Sequence, residues 1–410
     1  MNMTLIIFLL VYLAMGLGKL PGFKVDRTGA AIVGALAMLA IGKISAQAAW
    51  NSISYQTISL LFGLMVVSGA FAVSGFYAWA ANKVANLNIS PSKLLAVFII
   101  VSGILSAILT NDVVVVAMTP LLVSITLARG LNPIPFLLGF CFAANAGSVG
   151  TLIGSPQNMI AAQALNVSFI ELLKVAGLPA VISLVIVWGI LSYMFKDKWT
   201  IKKTATVSQS TMVQPELDIA ETIKAFIVTV GTVILFIINI WPQEIVALTA
   251  AGILLLNRKV ASDDVLKQVD GNLLLLIMGL FIVNAAMATT GLPQALLHDL
   301  NHMGLDLNHP LSLFITSAAL SNIVGNNPAV MLLVPYLQAG ASNADALCAA
   351  LALGTGFSSN MVIFGSLAGI VVVEQAKRCG IQISFMDYAK AGVPVSFACL
   401  FLSAFWVYFL

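Results

Sequence analysis

The sequence predicts an all-α polytopic membrane protein made of inverted repeats, with about ten spanning segments, two re-entrant hairpins and two broken helices. Three observations lead to this prediction. Of the 410 residues, 60% are hydrophobic and only 9% are charged, whereas soluble domains carry about 25% charged residues. Short polar motifs interrupt apolar segments in both halves of the chain. These motifs recur in the same order about 215 residues apart, which is typical of secondary transporters.

Apolar segments with the character of membrane spans are distributed along the whole chain. They lie near residues 4–18, 28–42, 57–74, 134–163, 177–195, 221–240, 243–257, 272–289, 345–375 and 391–409. Several are shorter than about 20 residues, so tilt or flanking residues must complete them. The first lacks a basic flank and a small-residue cleavage site, and we interpret it as a retained helix rather than a signal peptide.

The first predicted hairpin covers residues 94–128. Its tip is Thr110-Asn111-Asp112, between apolar arms of about 16 residues each, which are short for a hydrocarbon core of about 30 Å. Polar residues at membrane depth are costly and usually face a functional cavity. A second hairpin is predicted over 309–338, with its tip at Gly325-Asn326-Asn327.

Each half also contains a segment too rich in glycine and small polar residues for a regular helix. These predicted broken helices cover 134–163, with its polar run from Asn145 to Asn158, and 345–375, with its run from Gly354 to Ser366. A broken helix is tolerated where it lines a cavity; its free carbonyls can bind a cation and its half-helix N-terminus an anion. The alternative is helix packing through small residues of the Gly-x-x-x-Gly kind.

The repeat predicts the organisation of the chain. Residues 1–195 form the first repeat, 196–220 a polar linker and 221–410 the second repeat. Each repeat has five crossings and one hairpin that does not cross; because five is odd, the second repeat is inverted relative to the first.

The distribution of positive charge predicts the orientation. With the N-terminus outside, all but Lys43 and Lys174 of the 19 Lys and Arg residues fall on the cytoplasmic side, in agreement with the positive-inside rule. We therefore predict a multi-pass protein of the inner (cytoplasmic) membrane, with both termini outside and the linker in the cytoplasm. The first hairpin then inserts from the cytoplasm and the second from outside.

Asp112 is the only carboxylate that this topology places deep in the membrane, and no Lys or Arg is expected at the same depth. Loss of water favours the protonated acid, so Asp112 is a candidate proton carrier. Two alternatives are a carboxylate ligand for Na⁺ and an aspartate fixed by backbone donors. A substrate anion would be held by amides, hydroxyls and helix ends.

At these motifs the chain resembles the ion transporter superfamily, which includes arsenite/antimonite permeases, citrate–metal symporters and divalent anion:sodium symporters. Ser106 and Thr110-Asn111-Asp112 resemble the first hairpin tip of the arsenite and citrate–metal families. The run Gly150–Asn158 is similar to the G-T-x-x-G-S-P-x-N segment of the superfamily and is the most specific match. The resemblance covers nearly the full length.

The resemblance, combined with the repeat and the position of Asp112, nominates two sets of residues. The predicted substrate contacts are Asn111, Asp112, Ser155, Asn326, Asn327 and Ser366. The predicted coupling-ion residues are Ser106, Thr110, Asn111, Asp112, Gly150, Gly154, Asn158, Thr355 and Ser358. Asp112 replaces a threonine, and Gly325 a serine, of the sodium:dicarboxylate branch. Both changes favour proton coupling, or an uncharged or cation-complexed substrate.

The predicted function is secondary active transport of a small inorganic or organic anion or oxyanion by alternating access, coupled to H⁺. Na⁺-coupled dicarboxylate or sulfate symport and Na⁺/H⁺ antiport are the alternatives. No cofactor is expected beyond Na⁺ or H⁺, and no nucleic-acid partner; the lipid bilayer and a homodimeric partner are expected. An intramembrane protease is disfavoured because it would need a second deep aspartate or a suitably placed base, and a channel because inverted repeats favour alternating access.

Overall fold

The computed structural model of the protein describes residues 3–200, 216–302, 304–338 and 342–410. In the first half the helices are α1 (Met3–Leu17), α2 (Arg27–Ala40), α3 (Ala46–Ser52), α4 (Tyr55–Val73), α5 (Phe76–Ala85), α6 (Pro91–Ile108), α7 (Asn111–Ala128), α8 (Pro133–Ser148), α9 (Pro156–Leu165) and α10 (Phe169–Met194).

The second half continues the same all-helical architecture. Its helices are α11 (Ile219–Ile238), α12 (Gln243–Leu255), α13 (Ser262–Leu266), α14 (Gly271–Ala288), α15 (Leu292–His302), α16 (Pro310–Val324), α17 (Asn326–Leu333), α18 (Ala344–Ser358), α19 (Leu367–Arg378) and α20 (Phe385–Tyr408). Short 3-10 turns cover Val334–Tyr336 and Ile363–Gly365.

The all-α fold class is confirmed. Seven of the described helices are long and apolar enough to cross a membrane. Two of these seven, Pro91–Ile108 and Asn111–Ala128, are the arms of the predicted first hairpin. Helix length does not distinguish a re-entrant arm from a span, so the number of spans and the inverted repeat stay predictions.

Both predicted broken helices are interrupted where the glycine-rich motifs predicted. The first is divided into α8 and α9 around Gly150–Gly154, and the second into α18 and α19 around Ile363–Gly365. The helix that follows each broken helix begins with a capping box. Ser168 and Glu171 form it on α10, and Ser384 and Asp387 form it on α20, so each pair satisfies two orphan N–H groups.

The first hairpin differs from its predicted bounds. Its arms are 18 residues each, because Pro91 starts α6 earlier than expected and because Asn111 and Asp112 belong to the first turn of α7. Acidic side chains are favoured in the first turn, near the positive end of the helix dipole. The turn itself is therefore Leu109–Thr110, and Asp112 projects from a helix N-terminus.

Prolines in membrane helices leave carbonyls without a donor, and tryptophan and asparagine side chains from other helices supply one. Pro179 removes the N–H that would bond to Val175, and the Trp406 indole N–H donates to that carbonyl at 2.7 Å. Pro335 follows the C-terminus of α17 and has no N–H to donate to the Met331 carbonyl, and Asn284 Nδ2 donates to that carbonyl at 2.9 Å. Sequence-distant helices are thereby joined.

Glycines allow close approach in the remaining helix pairs. A Cβ on Gly63 of α4 would lie 2.6 Å from the Ala247 carbonyl of α12, and one on Gly279 of α14 would lie 2.9 Å from the Ala31 carbonyl of α2. The helix pairs α4 with α12 and α2 with α14 therefore pack closely through small residues.

The predicted linker is described only at its ends. Lys196 and Lys198 follow α10, whereas residues 201–215, with Lys202 and Lys203, lie outside the described residues. Asp218 then caps α11, since its side chain accepts from Glu221 N.

Candidate functional site

A cavity of about 660 Å³ brings the two predicted hairpin tips together. Its wall contains Asn111 and Asp112 of the first tip, Asn326 and Asn327 of the second, and Ser366 after the second break. These are five of the six predicted substrate contacts. Pro156 and Gln157, at the N-terminus of α9, also line it. A helix N-terminus and several amides facing one cavity can bind an anion.

The first tip is bonded to the first break and to α4, and a further hydrogen bond holds the break itself. Asn111 N donates to the Gly154 carbonyl at 3.0 Å, Thr110 N donates to Ser68 Oγ of α4 at 2.9 Å, and Gly154 N donates to Thr151 Oγ1 at 3.2 Å. Because a Cβ on Gly154 would lie 2.4 Å from the Ser148 carbonyl, only glycine fits at this point without displacement. The break is therefore shaped around the tip.

Asn158 closes the break from the other side. Its Nδ2 donates to the carbonyls of Ser148 at 3.0 Å and Thr151 at 2.8 Å, two groups that the interrupted helix leaves without a regular partner. Both donors of the amide are used in this way, and Asn158 Oδ1 has no partner. The side chain thus positions the break and presents an oxygen.

Several buried oxygens around this tip and break lack any hydrogen-bond partner. They are Ser106 Oγ, Thr110 Oγ1, Asn111 Oδ1, Ser155 Oγ and Asn158 Oδ1. A buried oxygen without a partner costs about 1–3 kcal/mol, so their accumulation in one region fits a ligand that they would coordinate. Hydroxyl and amide oxygens are suitable ligands for a hard cation such as Na⁺.

Near the second tip and break, three hydroxyl groups each donate a hydrogen bond. Ser321 Oγ donates to Asn326 Oδ1 at 2.6 Å, Thr355 Oγ1 donates to the Leu351 carbonyl at 2.7 Å, and Ser358 Oγ donates to the Thr355 carbonyl at 3.1 Å. Alignment of the two breaks pairs Asn158 with Gly369, which has no side chain to offer. The roles predicted for Thr355 and Ser358 stay predictions.

Three further residues of the predicted site are Ser366, Gly150 and Asn327. Ser366 Oγ accepts from Asn145 Nδ2 and from Gly369 N, both at 3.0 Å, although Ser366 also lines the cavity. Gly150 packs against α10, where a Cβ would lie 2.8 Å from Ala180 Cβ. Asn327 Oδ1 is buried without a partner and is available to a ligand.

The sequence analysis missed a buried polar link between the two broken helices. Asn145 Nδ2 donates to Asn360 Oδ1 at 2.8 Å, and Asn360 Nδ2 donates to the Phe142 carbonyl at 3.3 Å. Both asparagines lie within the predicted breaks. Their amide side chains in apolar surroundings were the available signal, but the partner of each could not be read from one sequence.

It also missed the charged residues that share the cavity. Arg27 and Lys19 line the cavity, and neither belongs to the hairpin and break motifs from which the site was predicted; the prediction that no Lys or Arg lies at the depth of Asp112 stays a prediction. Asp26, Asp270 and Glu374 line the cavity as well. Within the described part of the chain, no group of three or more His, Cys, Asp or Glu side chains could hold a metal ion.

A second cavity of about 600 Å³ lies at the other end of α9. Ile160, Gln163 and Asn166 of α9 and its cap contribute to it, together with Gln243 and Phe281. The α9 helix therefore has its N-terminus on the tip cavity and its C-terminal half on the second cavity.

An all-helical chain with apolar spans, broken helices and a polar cavity between helix tips defines a membrane transporter. The family model for "Citrate transporter" matches residues 7–354. The chain belongs to this citrate transporter family, part of the ion transporter superfamily that the motifs indicated.

Curated relatives are similar over nearly their whole length. An uncharacterized transporter of Mycobacterium tuberculosis is 27% identical, over 94% of each chain. A silicon efflux transporter of Oryza sativa is 25% identical, over 92% of this chain and 91% of the relative. A magnetosome protein of Magnetospirillum gryphiswaldense is 24% identical, over 92% and 93%.

The fold is similar to a solved transporter. The crystal structure of the YdaH transporter of Alcanivorax borkumensis superimposes with a TM-score of 0.56 and 14% identity, over 99% of this chain and 97% of that one. At this identity the likeness shows the fold alone.

Proposed function

We propose that the protein is a secondary active transporter that moves a small anion or oxyanion across the cytoplasmic membrane by alternating access, coupled to H⁺ through Asp112. The observation that supports this most is the cavity of about 660 Å³, on whose wall Asp112 lies beside the tip amides Asn111, Asn326 and Asn327. A proton carrier and a substrate-binding surface are thus in one compartment.

Coupling follows from charge. An ionised Asp112 repels an anion in the same cavity, whereas a protonated Asp112 does not. The anion therefore binds best after a proton, and the two move together. Within the described residues Asp112 has no ion-pair partner within 4.0 Å, so no fixed cation neutralises it in place of the proton.

The two cavities suggest the two access routes. The tip cavity is lined by Gly18 and Lys19 after α1 and by Asp270 before α14, in regions that the charge distribution assigns to the cytoplasm. The second cavity is lined by Ser54, Ser168 and Asn239, in regions assigned to the outside. We propose that the site is exposed to these two sides in turn.

Na⁺ coupling is the second candidate. The unpartnered oxygens of Ser106, Thr110, Asn111 and Asn158 favour it, because they could replace the water around a small cation. The paired hydroxyls of Ser321, Thr355 and Ser358 argue against an equivalent site in the second half. One coupling cation per protomer is then expected.

The experiment is flux into proteoliposomes under an imposed gradient of pH or of Na⁺. The probes are citrate, citrate with Mg²⁺ and silicic acid, chosen from the family description and from the named function of the rice relative. Accumulation driven by the pH gradient alone supports H⁺ coupling. Accumulation that requires the Na⁺ gradient supports the second candidate, and no protein-dependent flux of any probe contradicts transport of these substrates.

A further inference from the structure

We propose that Arg27 recognises the negative charge of the substrate on the α2 side of the tip cavity and does so in only one of the two access states. This inference rests on the proposed transport of an anion. It concerns a residue that the motifs of the hairpins and broken helices do not contain.

The position of Arg27 is suited to this role. It is the first residue of α2, it is half-buried, and it lines the same cavity as Asn111 and Asn326. Its Nε donates to the Met15 carbonyl at 2.8 Å, which fixes the guanidinium while its Nη groups remain available. A planar guanidinium can bind two oxygens of one carboxylate or oxyanion at once.

No protein carboxylate takes that place. Among the described residues, no Asp or Glu oxygen lies within 4.0 Å of the Arg27 nitrogens. The neighbouring carboxylate, Asp26, is used as the N-cap of α2 and accepts from Gly29 N at 2.8 Å. A half-buried arginine without a carboxylate partner, on the wall of a polar cavity, favours an anion from outside the chain.

The other charged groups on the cavity wall make the binding of an anion depend on Arg27. The titratable side chains that face the cavity with Arg27 are Lys19, Asp26, Asp112, Asp270 and Glu374. Carboxylates outnumber basic groups in this set, so the cavity as a whole does not attract anions. Lys19 is exposed, and Arg27 is the half-buried positive charge of the wall.

The packing of α2 explains why the contact would exist in one state only. Arg27 belongs to a helix held against α14, through the close approach of Gly279 to Ala31 and a 3.3 Å hydrogen bond from Thr28 Oγ1 to the Asn272 carbonyl. Asn111 and Asn326 belong to the hairpins. If the first hairpin moves relative to α2 and α14, the substrate leaves Arg27 when it turns to the second cavity.

The test measures KM for citrate separately from each side, in proteoliposomes whose orientation is fixed by blocking one population. Arg27→Gln should raise KM at least tenfold from the side of the tip cavity and change it less than twofold from the other side. Arg27→Lys, which keeps the charge but not the bidentate geometry, should give an intermediate value. Lys24→Gln, in the loop before α2 and outside the cavity, is the matched control and should leave KM unchanged from both sides.

Two outcomes would overturn the inference: an equal KM change from both sides, or no change from either. Thermal unfolding of each variant reports on the lost bond to Met15, and if Arg27→Gln does not fold, the comparison is made with Arg27→Lys. Flux of silicic acid, which is uncharged near neutral pH, should be insensitive to Arg27→Gln. If the wild-type protein transports no anion, the proposed function fails first and independently of Arg27.

Discussion

The backbone N–H of Asn111 donates a 3.0 Å hydrogen bond to the carbonyl of Gly154, joining the tip of the first hairpin to the first helix break. This contact places two sequence motifs more than 40 residues apart in one structure. The unpartnered oxygens of Ser106, Thr110 and Asn158 belong to the same two motifs.

Gly154→Ala should abolish most transport. The added Cβ would lie 2.4 Å from the Ser148 carbonyl and 2.6 Å from the Ser106 carbonyl, so the break or the tip must move. Overpacking of this kind costs about 1–3 kcal/mol, and initial flux should fall at least tenfold. Gly189→Ala is the matched control, because nothing lies within 4 Å of a Cβ there, and it should transport normally. Equal flux in both variants would contradict the proposed seating of the tip.

Asn158→Leu should remove any stabilisation of the protein by Na⁺. The substitution deletes Oδ1 from the unpartnered group and leaves the Ser148 and Thr151 carbonyls without their donor. Each lost bond costs about 1–3 kcal/mol, so the melting temperature should also fall. The measurement is the shift in melting temperature with added NaCl over matched KCl, since a ligand stabilises the state that binds it. A wild-type Na⁺ shift that persists in Asn158→Leu would place the cation elsewhere.

Asn284 and Pro335 should be energetically coupled. Asn284 Nδ2 donates to the Met331 carbonyl, and Tyr12 donates to Asn284 Oδ1 at 2.9 Å. Asn284→Ala should destabilise the protein by about 1–3 kcal/mol, because buried groups lose their partners. Pro335→Ala restores a backbone N–H that Met331 can accept from, so Asn284→Ala should cost less in that background. If Asn284→Ala destabilises the protein equally with and without Pro335→Ala, Asn284 does not stabilise it through the Met331 carbonyl.

Much of the fold could be predicted from the sequence, because hydrophobic runs and glycine-rich interruptions are local signals. The breaks at Gly154 and Gly365 and the helices on both sides lie where the motifs indicated. The position of the first turn was predicted incorrectly, because Asn111 and Asp112 begin α7 instead of forming the turn. Apolar content does not mark where a helix N-terminus starts within a polar motif.

The candidate site was predicted only where its residues belong to the motifs. Asn111, Asp112, Asn326 and Asn327 line one cavity, and their roles as substrate contacts stay predictions. Arg27 was not expected there, because its distance from the tips depends on how α2 packs, and packing is not encoded in a local pattern. The same reason applies to Asn145 and Asn360, whose bond requires both breaks to be positioned.

The central claim is that Asp112 carries the coupled proton, and one comparison tests it most directly. Wild-type protein and Asp112→Asn are reconstituted in parallel with a substrate that the wild type transports. Accumulation of this substrate is measured under an imposed pH gradient. Exchange of labelled for unlabelled substrate is measured without a gradient. Asparagine keeps the size of the side chain and cannot release a proton. The proposed mechanism predicts that Asp112→Asn loses accumulation driven by the pH gradient but retains exchange. Accumulation equal to that of the wild type under the pH gradient would contradict the mechanism.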